Sequence, residues 1–480
     1  MFKFRCFILC SFLITVLDIS AQDIFTSVAP NFDNRSIILP KGFIWQVVFS
    51  ELDSIYTIDN NLTSVKGAND MISYIPIKNS NTHGYLYVSH EDRSPNPVIG
   101  GGGGASVMEI ELIKNKWEII GKKYAVNFSN VGETFRNCGG TLTPKGTILS
   151  AEEEFPISNI EIYERSGIRD TSDFDGHKRY ENYGWMVEVD PITHKAIKKV
   201  KSFGRYRHED AYCTADGKTV YLTCDDKPSI LYKFECSTPN DYDRGILYCY
   251  QQSSDGLSGH WIALPDDDYT KYNTQEIAIK NGATMFISTE WIEFVNNKLY
   301  ISESGSNKFN FDVEIAQGAY PAKHLVDLCK KDSNVYKDPF GRILVMDLKT
   351  LEIKSFVNGG ISKLDSFFCF SSPDALTSVQ LNNKYYLVIS EDTHGDKNGK
   401  ASNYVMSKEE TYNELYFLDL SIQNPTLEDL KRFMMAPEGC ETTGDMFTPN
   451  GKTMFVSIQH PSSFNPPPFN RSCVIAIQGF

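Results

Sequence analysis

Six segments of this 480-residue chain repeat one pattern, a short apolar strand that runs directly into acidic, histidine or amide side chains. Most are preceded by a turn signal such as Pro-Lys-Gly, Asp-Gly or Asn-Asn. A strand pattern that recurs about every 60 to 90 residues is typical of a propeller with insertions, because every blade repeats the same strands around one axis. The sequence therefore predicts an all-β, six-bladed β-propeller with loop and short-helix insertions. The six segments are residues 84–92, 146–154, 218–226, 297–304, 384–392 and 452–460.

Length and composition fit this prediction. Radial β-architectures hold chains of this length as one unit, because each blade packs only on its neighbours, so we expect a single domain over residues 22–480. Hydrophobic residues make up 41% of the chain and aromatic residues 12%, as in a folded protein and not a disordered one. The formal net charge is −14 and no basic stripe is present, which argues against nucleic-acid binding and fits a protein that collects cations.

The N-terminus has the order of a secretory signal peptide. Lys3 and Arg5 precede an apolar run over residues 6–17, and Ser20 and Ala21 follow it, which predicts a leader over residues 1–21. No later run approaches the roughly 18 to 20 apolar residues that span a bilayer. We therefore expect an exported protein, periplasmic or extracellular. Cys6 and Cys10 belong to the leader, which leaves nine of the eleven cysteines, an odd number, so at least one has no intramolecular disulfide partner.

The polar ends of the repeated strands indicate chemistry. We expect the repeated strands to be the innermost strands of the blades, so that their polar ends converge on one axis. A second set of polar residues precedes each strand end by about 13 to 20 positions, so two rings of side chains would face the channel. Like charges at close range cannot all remain ionised in a low-dielectric channel without cations, and convergence therefore predicts metal. Carboxylates with few histidines favour Ca²⁺ and Fe³⁺ over Zn²⁺, and Cys138 indicates a softer or redox-active transition metal.

Each candidate also has a purely structural interpretation. The acids at 152–154 could be a solvated surface run, and His90 with Glu91 a local hydrogen-bonded pair. Cys138 could be a core thiol. The five glycines at 100–104 lack the sequence context of a phosphate-binding loop. They predict either a flexible hairpin tip or a close backbone approach to a ligand or a neighbouring blade.

Five ordered motifs resemble the PhoX family of secreted alkaline phosphatases, and together they cover nearly the whole mature chain. They are Gly67-Ala-Asn-Asp-Met71 with Ser89-His-Glu91, the segment 137–153 that begins Asn-Cys-Gly-Gly, Phe203-Gly-Arg-Tyr-Arg-His-Glu209, Ser372-Pro-Asp-Ala-Leu376, and the segment 441–461 that begins Glu-Thr-Thr-Gly-Asp-Met. The resemblance implies a six-bladed propeller with Ca²⁺ and a pair of Fe³⁺ ions in its channel. It also implies hydrolysis of phosphate monoesters, with diesters as a secondary class, at alkaline pH.

Carried over motif by motif, the resemblance implies an iron-binding thiolate at Cys138 and a set of metal-binding side chains around it. The residues expected at the reaction centre are Cys138, Glu152, Glu209 and Glu290. The expected metal ligands are Cys138, Glu152, Glu153, Glu209, Glu290, Asp374, Glu391, Glu441, His90 and Glu91. The implied partners are phosphorylated small molecules.

The chain departs from the family pattern at four places. Ser288-Thr-Glu290 stands where the family has Arg-Pro-Glu, which removes an arginine that could clamp phosphate. Ala375 replaces an asparagine and Ala151 a cysteine, and the leader has no twin arginine. The alternative function from a different class is a calcium-stabilised propeller that binds a ligand without turnover. Another hydrolase on the same scaffold, such as a lactonase, is a further alternative.

Overall fold

The computed structural model describes residues 24–31, 35–96, 99, 101–328, 335–365, 368–392 and 412–480. The predicted leader, Gly100 and Cys329 lie outside these ranges. Each of six blades is an antiparallel sheet in which four strands follow one another along the chain, except that the first strand of the chain completes the last blade. The predicted six-bladed β-propeller is therefore confirmed.

The strands of each blade are given from the channel outward. Blade 1 contains Asn69–Pro76, His83–His90, Ala105–Ile113 and Lys116–Ala125. Blade 2 contains Asn137–Leu142, Ile148–Glu152, Met186–Asp190 and Lys195–Lys199. Blade 3 contains His208–Cys213, Thr219–Cys224, Tyr232–Cys236 and Gly245–Gln252, with Gly259–Ala263 added at its outer edge. Blade 4 contains Thr289–Val295, Lys298–Glu303, Arg342–Asp347 and Ile353–Asn358. Blade 5 contains Pro373–Leu381, Lys384–Glu391, Glu414–Asp419 and Lys431–Met435. Blade 6 contains Glu441–Phe447, Thr453–Gln459, Cys473–Gln478 and Ile44–Ser50.

The first strand of each blade lies at the channel. These six inner strands contact one another in sequence order, and the strand of blade 6 returns to that of blade 1, so the ring is closed. The repeated segments found in the sequence form the second strands and not the innermost ones, which corrects the sequence interpretation. Because the first two strands pair antiparallel, the end of the second strand lies beside the start of the inner strand, as in the pairs Asn69 with His90 and Pro373 with Glu391.

The core lies between neighbouring blades, so both faces of a sheet are apolar. In blade 1, Leu86 and Val88 pack toward Phe455 of blade 6, whereas Tyr87 packs toward Ile148 of blade 2. Successive side chains of a strand point to opposite faces, and each face here meets another sheet. This explains why the repeated strands are continuous apolar runs without alternating polar residues.

The insertions carry short helices at Asn159–Ser166, Asp268–Tyr272, Thr274–Lys280, Asp312–Ala316 and Lys323–Leu328. Single 3₁₀ turns occur at Ile77–Asn79, Ser129–Val131, Arg179–Asn182, Lys201–Phe203 and Leu427–Asp429. Short strands outside the blades are Ser54–Tyr56, Leu62–Ser64, Ser229–Ile230, Thr284–Phe286, Ser306–Asn310, Tyr320–Pro321, Val335–Asp338, Gly360–Ile361 and Cys369–Phe370. In the ranges that the structure describes, none of the helices is both long and apolar enough to cross a membrane.

Candidate metal centre

A β-bulge at the start of five inner strands determines which side chains enter the channel. The pairing register shifts directly after the first residue of the inner strand in blades 1 to 5, whereas in blade 6 the shift lies further along. A bulge bends its strand and redirects the side chain within it. Each bulge contains two residues of the inner strand, and the first of the two is, in blade order, Asp70, Cys138, Glu209, Glu290 and Asp374.

The approach to the inner strand has an unusual backbone in four blades. Ala68, Arg136, Ser288 and Ser372 each precede an inner strand, and their φ angles are 47°, 53°, 49° and 47°. Positive φ is uncommon for residues other than glycine and is retained where the surrounding structure fixes it, often at functional sites. The same conformation at equivalent places indicates that it helps to direct the bulge residues toward the channel.

Three groups of side chains have ligand atoms close enough to share a cation. In each group the candidate atoms lie within 4.8 Å of one another. Glu209 belongs to two groups, so those two sites adjoin. The groups are Glu91 with Glu441 and His460, Cys138 with Glu153 and Glu209, and Glu209 with Asp225 and Glu290.

Six of the ten predicted ligands fall in these groups: Glu91, Cys138, Glu153, Glu209, Glu290 and Glu441. Asp374 is in none of them, but its pKa is raised well above the usual range by burial and by repulsion from Glu290, Asp70 and Asp392, so it shares the acidic channel. Sequence reasoning missed Asp225 and His460 as group members. Both directly follow the last residue of a second strand, as Glu91 and Glu153 do, and an alignment of the six repeats would have revealed them.

The other three predicted ligands, His90, Glu152 and Glu391, share a different position, the last residue of the second strand. Glu152 accepts hydrogen bonds from the backbone N–H groups of Phe135 (3.2 Å) and Trp185 (3.0 Å), and from Lys199 Nζ at 2.8 Å. Glu391 likewise accepts from the N–H groups of Ser371 (2.9 Å) and Glu414 (3.0 Å). These carboxylates hold the segment that enters the inner strand. The structure does not bring them into the three groups.

His90 occupies the same position in blade 1. Its Nε2 atom lies 2.7 Å from the hydroxyl of Ser106, and burial together with the charge of Lys66 lowers its pKa to about 3. A neutral, hydrogen-bonded ring at this place fits the structural interpretation of His90. Its neighbour Glu91 instead enters the channel, so the two residues do not act as one pair.

Serines in the repeated strands attach the channel residues of one blade to the next blade. The Ser89 hydroxyl donates to the carbonyl oxygen of Cys138 at 2.7 Å, and the Ser457 hydroxyl donates to that of Asp70, also at 2.7 Å. Ser302 donates in the same way to Asp374. The repeated Ser therefore fixes the backbone of bulge residues that the neighbouring blade presents to the channel.

The channel is strongly acidic and buried. Burial first, and repulsion from Glu153 and Glu290 second, raise the pKa of Glu209 well above its usual range. Burial and repulsion from Glu209 do the same to the pKa of the Cys138 thiol, whose Sγ atom lies 3.5 Å from Glu209 Oε2. Carboxylates held this close in a dry site must take up protons or bind cations.

One guanidinium links two of the groups. Arg136 forms ion pairs with Glu91 and with Glu153, which belong to different groups. Burial alone would lower the pKa of Arg136, but Glu153 and Glu91 raise it well above its ordinary value. Arg136 therefore compensates negative charge in both groups, that of Glu91 in one and that of Glu153 in the other.

The glycine tract supports the segment that carries Cys138. Gly102 pairs with Phe135, and a Cβ atom on Gly103 would come within 2.3 Å of Asn137 Oδ1. Gly104 N–H donates to that same oxygen at 2.8 Å. Of the two interpretations of the tract, close backbone approach to a neighbouring blade is confirmed for its described residues.

A cleft of about 390 Å³ opens beside the group of Glu91, Glu441 and His460. Glu91 and His460 of that group line the cleft, and so does Arg136, the ion-pair partner of Glu91. The cleft is of the size that small ligands occupy in proteins. Its wall is formed by Glu51, Gly67, Ala68, Glu91, Asp92, Arg93, Ser94, Arg136, His460, Pro461, Asn470, Arg471 and Ser472.

Fold and site together define a propeller with a buried, carboxylate-rich channel that opens into a ligand-sized cleft. The family profile described as "Alkaline phosphatase PhoX" matches residues 24–462. The chain belongs to the PhoX family, and it is an enzyme of the alkaline phosphatase class. A search of curated proteins gave no match.

Solved structures include a similar one over nearly the full length. The Pseudomonas fluorescens PhoX structure, in complex with vanadate as a transition-state analogue, has a TM-score of 0.72 and 20% identity, and the match covers 95% of this chain and 98% of that one. Trichoderma reesei Carbohydrate-Active Enzymes Family AA12 has a TM-score of 0.43 and 8% identity, covering 95% and 100% of the two chains. For a Bacteroides fragilis 6-phosphogluconolactonase, described as putative, the TM-score is 0.37 and the identity 10%, with 91% and 94% covered.

Proposed function

We propose that the chain is an exported, metal-dependent phosphatase that hydrolyses phosphate monoesters at alkaline pH, with diesters as a secondary class, through Ca²⁺ and Fe³⁺ held in the propeller channel. The observation that carries the proposal is the set of three candidate ligand groups, of which one contains Cys138 and two share Glu209. Family membership supports the reaction type. The leader proposed over residues 1–21 supports export.

The donor atoms fit this assignment of metals. Oxygen ligands are those that Ca²⁺ and Fe³⁺ prefer, and the group with the Cys138 thiolate suits iron better than calcium. Asn69 adds a buried amide whose Oδ1 and Nδ2 atoms have no hydrogen-bond partner in the part of the chain that the structure describes. An amide oxygen of this kind is a common ligand of Ca²⁺.

When bound, the cations would supply the Lewis-acid chemistry that neutralises phosphate oxygens. The residues of the chain fix the geometry of the site. The Ser304 hydroxyl donates to Glu290 Oε1 at 2.6 Å and orients that carboxylate. The bulges fix Cys138 and Glu209, and the cleft beside His460 leaves room for the leaving group of the ester.

The raised pKa values of the thiol and carboxylates link metal loading to pH. A protonated acid or thiol must lose its proton before it binds a cation, so binding releases protons and becomes stronger as pH rises. The pKa values of Cys138, Glu209 and Glu290 are all raised by burial and by neighbouring acids. Loading at alkaline pH is therefore favoured over loading at acidic pH.

The experiment is the hydrolysis of p-nitrophenyl phosphate by the mature protein at alkaline pH, with metal content measured on the same sample. We expect turnover that is lost after chelation and restored by Ca²⁺ in protein that retains iron. Protein shown to carry iron and calcium but without turnover would contradict the monoester proposal. Stable calcium binding with no turnover on any ester would favour the non-catalytic binding propeller.

A further inference from the structure

Arg471 is a cationic side chain of the cleft that has no counter-charge. Three arginines line this cleft. Arg93 pairs with Glu154 at 2.8 Å, and Arg136 pairs with Glu91 and Glu153. Arg471 makes no hydrogen bond or ion pair with any residue of the described ranges. Its guanidinium is therefore available to a ligand.

The acids of the same cleft are already engaged. Glu51 accepts a hydrogen bond from the N–H of Ser472 at 3.2 Å, and Asp92 accepts one from the N–H of Ser94 at 2.7 Å. Glu91 pairs with Arg136 and belongs to a metal-binding group. Each cleft carboxylate has another partner, and none of them forms an ion pair with Arg471. Among the three arginines of the cleft, Arg471 is the one that pairs with no carboxylate of the described ranges.

The backbone beside Arg471 is fixed to blade 1. The Ser472 hydroxyl accepts a hydrogen bond from the N–H of Asn69 at 2.9 Å, and the Ser472 carbonyl accepts one from the N–H of Glu51 at 2.9 Å. Asn69 begins the inner strand that carries Asp70, a residue of the acidic channel. The fixed backbone holds Arg471 at the cleft wall, so that only its side chain has to be ordered when it binds an anion.

We propose that Arg471 binds the phosphate oxygens of the substrate at the mouth of the metal centre. A guanidinium presents a planar fork of N–H donors that matches two phosphate oxygens at once, and it keeps its charge at alkaline pH. Arg471 lies beyond residue 462, where the family match ends. The inference rests on the proposed function for the identity of the anion as a phosphate ester.

The test compares inorganic phosphate binding by metal-loaded wild type, Arg471→Gln and Arg471→Lys. Calorimetry gives the dissociation constant, inhibition of p-nitrophenyl phosphate hydrolysis gives an independent value, and metal per chain is measured for each protein. Arg244→Gln is the matched control, because Arg244 is an exposed arginine of blade 3 that pairs with Asp241 at 2.7 Å.

We expect Arg471→Gln to weaken phosphate binding about 10- to 100-fold, the usual worth of hydrogen bonds to a charged group. The phosphate affinity of Arg471→Lys should lie between those of Arg471→Gln and wild type, because lysine keeps the positive charge but lacks the planar pair of N–H donors. Metal content and thermal midpoint should not change in either variant. Arg244→Gln should bind phosphate as wild type does.

Unchanged phosphate affinity in Arg471→Gln would overturn the inference. Loss of metal in that variant would also overturn it, since Arg471 would then act through the metal centre and not on the anion. If wild type binds phosphate through Arg471 but hydrolyses no ester, the proposed function fails and the inference stands. If wild type hydrolyses esters and Arg471→Gln matches it in phosphate affinity, the inference fails and the proposed function stands.

Discussion

The adjacent acids Glu152 and Glu153 should respond to the same substitution in opposite ways. Glu152 is buried and pairs with Lys199, whose side chain is only 4% exposed, whereas Glu153 belongs to the group around Cys138. Glu152→Gln leaves a buried ammonium without its counter-charge. Removing one partner from a buried ion pair costs about 3–5 kcal/mol, so we expect the free energy of unfolding of the metal-free protein to fall by that amount.

We expect the loss of bound metal to be larger for Glu153→Gln than for Glu152→Gln, the reverse of the order expected for the loss of stability. Glu152→Gln should retain its bound iron and calcium, because Glu152 has no place in the three groups. Glu153→Gln removes a group member, and we expect it to lose metal while the stability of its metal-free form falls less than that of Glu152→Gln. Unfolding in urea after chelation and elemental analysis of the purified protein provide the two measurements.

A double variant separates the ion pair from other effects of the Glu152 substitution. Glu152→Gln combined with Lys199→Met removes both charges, and we expect it to recover a large part of the lost stability, because buried pairs can be replaced by apolar residues at little cost. The reasoning would be refuted if Glu152→Gln lost metal and left the metal-free stability unchanged. That result would make Glu152 a ligand, as the sequence alone suggested.

Three other substitutions test the site and the core. Cys138→Ser should abolish turnover and lower iron content with little change in folding, and unchanged turnover would remove the thiolate from the site. Asp445 is buried, which raises its pKa from 3.8 to about 7. The neutral acid is therefore favoured in the folded state, and stability should fall as pH rises from about 4 to about 7, by about 4 kcal/mol at 1.4 kcal/mol per pKa unit. Asp445→Asn should flatten that dependence, which urea midpoints of metal-free protein at pH 5 and pH 8 measure. Gly103→Ala should lower iron content and kcat, because its Cβ would displace Asn137 beside Cys138, and iron content equal to wild type would show that the tract does not position Cys138.

The sequence predicted the propeller because the same strand chemistry recurs in every blade. It placed the repeated segments at the channel, whereas they are second strands, since periodicity along the chain does not state which strand of a blade lies innermost. Antiparallel pairing places the end of the second strand beside the start of the inner strand. Both predicted sets of polar residues therefore lie at the same end of each blade, although the strand assignment was wrong.

The exact ligands depended on details that periodicity does not carry. In the run 152–154, the first acid ends a strand and bonds to its own blade, whereas the second leaves the strand and faces the channel. A one-residue difference therefore separates a structural carboxylate from a candidate ligand. The bulges that direct Cys138 and Glu209 also left no local sequence signal beyond the glycines that follow Cys138.

Blade 6 contains both early and late parts of the chain, because Ile44–Ser50 pairs with Cys473–Gln478. Glu91 lies in blade 1, while Glu441 and His460, its companions in one candidate metal group, lie in the last blade. During synthesis this group cannot assemble until residue 460 of the 480 has been made, because His460 is one of its members. Metal bound there would link blade 1 to blade 6, where the ring closes. It would bind only to a protein in which these two blades are already in contact.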